Sequence, residues 1–364
     1  MPDFLNSCLS VIQSILDVWG HIWPILVAIL AFLALIMIHE FGHFIFAKML
    51  GVKVNEYSIG FGPTLFKWQG KETKYSIRAV PFGGFCAMEG EDEASENPRG
   101  FCNKKPWRRF LIIVAGAAFN IILGFIILIF AALPNNLLPT TQIARFENND
   151  KFTSVSNAEG GLKEKDIIYS VNGRRIFSTV DLSYAFSGVE KGLVDITVIR
   201  DNEKVDLGEV KFNTTTREGI EYVVVDFYVY GQEKTFVNVI KHAANQTVSY
   251  SRIVWFSLVD LISGKYGISQ MSGPVGVTAV VSDAVKSGVG NLLPILAFIT
   301  INLGIFNLLP IPSLDGSRAL FILIEIIFRK PVPRKFESII HTVGLVIMLL
   351  FILLITVKDI FSFF

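Results

Sequence analysis

Cysteine is scarce in this 364-residue chain: Cys8, Cys86 and Cys102 are the only three, they lie far apart, and no Cys-x-x-Cys pair occurs. That excludes a disulfide scaffold, a redox dithiol and a thiolate zinc site. A charge excess is missing too. Lys and Arg number 33 against 32 Asp and Glu, for a net charge of +1, so nothing is present to neutralise a phosphate backbone, and nucleic acid is not an expected partner. Charged residues of either sign make up only 18%, below the roughly 25% of soluble globular chains, which argues against a purely soluble protein. No internal repeat or low-complexity tract is present.

What the chain has instead is oil, gathered into blocks. A helix needs about 20 apolar residues at 1.5 Å rise to cross a bilayer. Residues 24–50 are apolar apart from one polar cluster and a lysine near the end, and 110–133 carry no charge at all. Residues 292–328 are too long for one straight span and are cut by Pro310 and Pro312; 339–357 form a fourth block. The first block is not expected to be a cleaved signal peptide, since no basic residue precedes it. Between the second and third blocks the composition inverts, and residues 141–235 hold 28 of the chain's 65 charged side chains. This segment reads as one small water-soluble insert. The expected domains are therefore an N-terminal membrane core, 1–140; the insert, 141–235; an amphipathic juxtamembrane connector, 236–290; and a C-terminal membrane core, 291–364. The helical pattern at 236–262 fits either a helix on the outer membrane surface or a surface helix of the insert.

Lys and Arg set the orientation. Ten lie in 51–109 and four in 329–335, whereas the first 22 residues have none. The two basic loops should face the cytoplasm, which puts both termini and the insert outside. Gly-flanked, partly alternating segments at 56–67 and 74–82 predict a β-hairpin.

The most informative residues are the polar ones inside the oily blocks. His39-Glu40-Phe41-Gly42-His43 places two imidazoles four residues apart on one helical face, where they can converge on a zinc ion with Glu40 beside them as a base. Placing two histidines and a glutamate at bilayer depth costs on the order of a few kcal/mol on insertion scales, so they belong at a working site or in a buried polar cluster. A catalytic zinc needs a third protein ligand and one open position. Residues 44–50 supply none. Asp315, in the broken stretch NLLPIPSLDG, is the candidate, with a salt bridge to Arg318 or a helix cap as the alternative uses. Glu325 reads as a packed or interfacial residue. Asn302 and Asn307, just before the break, are candidate contacts for a substrate backbone, with interhelical hydrogen bonds as the alternative use. Asn120 and Gly116 in the second block read as an interhelical hydrogen bond and a close-packing position, and His21, His242 and His341 as packed or solvated.

The pair His39-Glu40-x-x-His43 and Leu314-Asp315-Gly316, with a soluble insert between, resembles the site-2 protease family of intramembrane zinc metalloproteases, in its bacterial RseP-like branch. Gly60-Phe-Gly62 and Gly83-Gly84-Phe85 resemble that family's membrane-associated β-loop, Ser272-Gly-Pro-Val-Gly276 its segment before the third span, and Gly161-Leu162 to Val171-Asn172-Gly173 the turn signature of a PDZ domain. The resemblance implies a multi-pass α-helical membrane protein of about four transmembrane helices, with a membrane-associated β-hairpin and an inserted PDZ-like α+β domain. It also implies one zinc ion held by His39, His43 and Asp315, with Glu40 as the catalytic base. The expected substrates are single-span membrane proteins trimmed beforehand by another protease, such as anti-sigma factors, or signal-peptide remnants, and the expected home is the bacterial inner (plasma) membrane. The chain departs from the family at Lys165, where glycine is usual; at Ser317-Arg318 after Leu-Asp-Gly; at Ala117 after Gly116; and in having room for one PDZ-like domain only. A non-catalytic membrane scaffold and a zinc transporter are the rival readings.

Overall fold

The computed structural model describes residues 2–91, 93–149, 152–187, 189–217, 220–264 and 271–363; the side chain of His21 lies outside what is described. Among the described residues eight α-helices run in chain order: α1 (Pro2–Met49), α2 (Pro106–Ala132), α3 (Thr179–Ala185), α4 (Phe236–Ile262), α5 (Pro274–Ser287), α6 (Val289–Leu308), α7 (Asp315–Phe328) and α8 (Arg334–Phe363). Four stretches of the described residues are long and apolar enough to cross a bilayer, namely Ile22–Met49, Pro106–Ala132, Val289–Leu308 and Lys335–Phe361. The protein is a multi-pass helical membrane protein. As the prolines dictate, the third apolar block does not form one helix: α6 stops at Leu308 and α7 starts at Asp315. Helix α7 has only 14 residues, too few to span.

The chain forms two compact units, one made of residues up to Ile127 and from Leu258 onward, the other of Leu128–Ser257. In the first, β1 (Val54–Gln69) and β2 (Lys74–Met88) pair antiparallel over the segment expected to be a hairpin. The pairing is double. Tyr57 faces both Cys86 and Tyr75, and Ser58 both Phe85 and Ser76, because each strand bends and returns: Gly60 and Gly62 in β1 and Gly83 in β2 take φ of +80°, +82° and +91°. Residues 84–88 thus form one outer strand of the curled sheet. Ala47, Val52, Val54, Cys86, Met88, Ile112, Ile113, Ala319 and Ile322 pack into one cluster that ties α1, both strands, α2 and α7 together.

Within that sheet Glu56 accepts hydrogen bonds from Ser76 (2.6 Å), Arg78 (2.8 Å) and Lys74 (3.0 Å). Burial works to raise its carboxyl, but these donors outweigh it and hold the pKa at about 2. The unfolded value is about 4.3, so Glu56 stabilises the sheet above that pH and loses its contribution as pH falls toward 2. Amide exchange in β1 and β2 should therefore accelerate between about pH 4.3 and 2 beyond its intrinsic dependence. Glu56→Gln should remove that dependence; an unchanged profile in the variant would count against it.

The segment Ser272-Gly-Pro-Val-Gly276 opens α5, and its exposed amides are answered from α8: Gly273 N–H and Gly276 N–H both donate to Asp359 Oδ2 at 2.8 Å. A Cβ on Gly273 would lie 2.7 Å from Ile355 Cγ2 and 3.0 Å from the same carboxylate.

In the second unit, β3 (Leu137–Phe146) is followed by the short pair β4 (Asn148–Asn149) and β5 (Phe152–Thr153), then β6 (Ile167–Val171), β7 (Arg174–Arg175), β8 (Leu193–Arg200), β9 (Glu203–Lys211), the pair β10 (Thr214–Arg217) and β11 (Ile220–Val223), and β12 (Phe227–Glu233). The main sheet has the order β12-β3-β6-β8-β9, with β7 on β6. Alternation puts Val194, Ile196 and Val198 of β8 inward beside Ile143, Ile168 and Leu162; each such side chain contributes about 1.5–3 kcal/mol on full burial. Helix α3 starts at a capping box in which Ser178 accepts from Val180 N–H and Asp181 from Ser178 N–H. Asp181 also accepts from Ser249 (2.6 Å), so the part of α4 up to Ser257 is packed on the insert, with Ala243, Tyr250, Ile253 and Val254 buried. The turn before β6 survives the loss of glycine: Lys165 adopts φ +71°, at a cost on the order of 1 kcal/mol, while its N–H donates to Ile143 O (2.8 Å).

Candidate metal centre

His39 and His43 stand one turn apart on α1, and both are nearly inaccessible, at 7% and 6% exposure. Their rings meet edge to face with centroids 4.8 Å apart, and the two Nε2 atoms are 3.2 Å from each other. Asp315, the first residue of α7, brings Oδ2 to 3.0 Å from His39 Nε2 and 3.1 Å from His43 Nε2. Among the described residues this is the one group of three His, Cys, Asp or Glu side chains placed to share a metal ion.

The donor set fits zinc. Ligands at about 2.0–2.2 Å in a tetrahedron are separated by about 3.3 Å, and the three separations here fall within about 0.3 Å of that. His43 Nδ1–H donates to Ile112 O at 2.9 Å, which leaves the Nε2 lone pair facing the shared point. Two neutral ring nitrogens and a carboxylate would fill three positions and leave the fourth for water or substrate.

Local sequence explains how the residues are carried there. Gly42 and Gly116 let α1 and α2 touch: a Cβ on Gly42 would lie 2.6 Å from Ala115 O, and one on Gly116 would lie 2.3 Å from His43 Nε2. Gly116 is therefore more than a packing position, because the space above it belongs to the imidazoles. In the break before α7, Gly316 has no room for a Cβ, which would lie 2.2 Å from Leu309 O. Ser313, at φ +76°, is held from α8: its N–H donates to His341 Nδ1 (3.2 Å) and its Oγ to His341 O (2.8 Å). His341, read from sequence as a packed or solvated residue, thus steadies the segment that delivers Asp315. No local pattern signals this, since its partner is 28 residues away.

The remaining polar residues have these places. Arg318 pairs with Glu91 and not with Asp315, and Glu325 pairs with Arg109 at 2.5 Å. Glu40 is half-buried against the outer strand of the curled sheet, its Cγ 3.6 Å from where a Cβ on Gly84 would lie. Asn307 donates its amide to Leu303 O (3.0 Å) in its own helix, and Asn302 is half-buried on the same helix. Asn120 is fully buried; Thr300 Oγ donates to its backbone carbonyl (3.2 Å), joining α2 to α6, while its side-chain Nδ2 stands 3.3 Å from His39 Nδ1. Both contacts run between helices, the first to α6 through the backbone and the second to α1 through the side chain; that the α1 partner is His39 is what the interhelical reading of Asn120 left unspecified.

Comparison with known proteins agrees with this class of site in this class of fold. Residues 27–351 match Peptidase family M50. A Clostridium perfringens protein assigned as a zinc metalloprotease is 34% identical over 340 residues, covering 92% of this chain and 98% of its own length. The regulator of sigma-W protease RasP of Bacillus subtilis is 28% identical over 414 residues, covering 91% and 97%, and the zinc metalloprotease RasP of Bacillus licheniformis is 30% identical over 418 residues with the same coverage. A membrane-embedded, zinc-dependent metalloendopeptidase of the site-2 type is the class these observations define. The chain belongs to peptidase family M50, which leaves the scaffold and transporter readings without support.

Proposed function

We propose that this protein cuts the transmembrane segments of single-span membrane proteins, with His39, His43 and Asp315 holding one zinc ion and Glu40 as the general base. The convergence of Nε2, Nε2 and Oδ2 from two separate apolar blocks carries this reading. When bound, zinc supplies Lewis acidity for the scissile carbonyl and a water that ionises near neutral pH. Glu40 accepts the proton of the attacking water and returns it to the leaving amine.

A transmembrane helix hides its carbonyls in internal hydrogen bonds, so the substrate must be unwound and its backbone groups satisfied again. Residues 84–88 supply a strand beside Glu40 to which an extended peptide can add, as a membrane-associated β-hairpin would, and Asn302 and Asn307 supply amides from α6. The basic loops 51–109 and 329–335 face the cytoplasm of a bacterial plasma membrane, with both termini and the insert outside. The insert is PDZ-like. It turns away substrates whose outer domains have not yet been trimmed by another protease, and membrane-anchored anti-sigma factors are the class favoured by the likeness to a regulator of sigma-W protease.

The test uses the full chain in detergent and a tagged single-span helix. Chelation should abolish cleavage and added zinc restore it, and Asp315→Ala should hold less than about a tenth of a zinc ion per chain. Normal zinc content in Asp315→Ala would remove it from the ligand set.

A further inference from the structure

Asn120 is completely buried, and its side chain poses a problem in its present pose. The amide nitrogen stands 3.3 Å from His39 Nδ1, while Oδ1 has no hydrogen-bond partner. An amide nitrogen only donates, so it needs an unprotonated Nδ1, and the ring proton would then sit on Nε2. That is the atom that faces His43 and Asp315 at 3.2 and 3.0 Å, where a metal needs a lone pair. With metal on Nε2 the proton moves to Nδ1, and two buried donors would confront one another beside an orphaned acceptor. Turning the amide over costs little space, since its two ends are nearly the same size, and it puts Oδ1 at the ring. The ring N–H then meets an acceptor, and Oδ1 is no longer without a partner. The backbone is already fixed for it by the Thr300 bond to Asn120 O.

We propose that Asn120 is a positioning residue for the metal centre: with zinc bound it presents Oδ1 to the Nδ1–H of His39, holding the ring's tautomer and aim as Ile112 O does for His43. This rests on the reading that His39 and His43 bind zinc. It gives both imidazoles an acceptor on α2, one from backbone and one from a side chain, so that α2 orients a site to which it contributes no ligand.

Zinc affinity of the full chain, measured by chelator competition, tests it. Asn120→Leu, which keeps bulk and removes the acceptor, should weaken binding by about 10- to 100-fold, and Asn120→Asp, which keeps only acceptors, should restore it to within a few-fold of wild type. A second readout does not depend on the aspartate variant folding. The chain has five histidines; in zinc-loaded protein labelled with 15N-histidine, Asn120→Leu should shift the His39 Nδ1–H signal and leave that of His43 in place. Wild-type affinity in Asn120→Leu, or an aspartate variant as weak as the leucine one, or equal shifts at both rings, would overturn the proposal. His43→Ala serves as the separating control: if it too bound zinc normally, the ligand assignment itself would be at fault.

Discussion

Gly116→Ala should yield a folded protein with almost no affinity for zinc. The three heavy atoms closest to an added Cβ all belong to the two imidazoles: His43 Nε2 at 2.3 Å, His43 Cε1 at 2.7 Å and His39 Cε1 at 2.9 Å. Contacts of that length do not persist, so one ring must leave its place. His43 can leave only by giving up its bond to Ile112 O and its approach to Asp315, and His39 only by giving up Asp315 and Asn120. Loss of one of three ligands costs more than loss of a supporting hydrogen bond, so the affinity should fall by well over about 100-fold. The backbone argues the other way. Alanine is favoured over glycine in a helix interior by about 1 kcal/mol, so α2 itself should be no less stable. Opposite signs in the two measurements make the result specific: chelator competition should show the loss, and thermal unfolding of the metal-free chain should not. Wild-type zinc affinity in Gly116→Ala would mean that the rings do not occupy the ground above Gly116.

Why sequence pointed to Asp315 and not to the role of Gly116 follows from what each residue costs. A carboxylate or an imidazole in an oily block carries a penalty that has to be met, and its position along the chain gives it away without knowledge of its partners. The same reasoning found the break at Pro310 and Pro312, where two missing N–H groups fall two residues apart, whereas the single prolines Pro24 and Pro294 are accommodated inside α1 and α6. Gly116 carries no such penalty, and glycine in a membrane helix has a ready explanation in close packing; only the geometry shows that an imidazole fills the space. His341 was opaque for a different reason. Its contact with Ser313 joins residues on either side of α7, a pairing set by the return of α8 and by no periodicity. At Lys165 the sequence showed the departure but not its outcome, since a left-handed lysine and a rearranged turn are equally open until the φ of +71° is seen. The helix at 236–262 was readable in extent, matching α4 residue for residue, but amphipathicity alone does not say what an apolar face covers, and the bond from Ser249 to Asp181 is what attaches it to the insert.

Glu40→Gln should cut turnover by about 10²- to 10⁴-fold while zinc content stays at the wild-type level. The two side chains have the same shape, so the place beside Gly84 of the outer strand is filled as before. What is lost is the ability to take a proton. Glu40 lies next to His39 in the chain but outside the group of three atoms that converge, so the amide removes no donor from the metal. The separation of the two readouts is what assigns the role. A ligand lost to substitution would empty the centre and abolish turnover together, as expected of Asp315→Ala, whereas a base lost to substitution leaves a loaded centre that still binds substrate. Single-turnover cleavage of the tagged helix, with zinc measured on the same sample, gives both numbers. Turnover above about a tenth of wild type would show that another group handles the proton, because the missing factor would fall short of what general base catalysis supplies. Zinc loss in the variant would instead place Glu40 among the ligands, and the open fourth position would no longer be available for water.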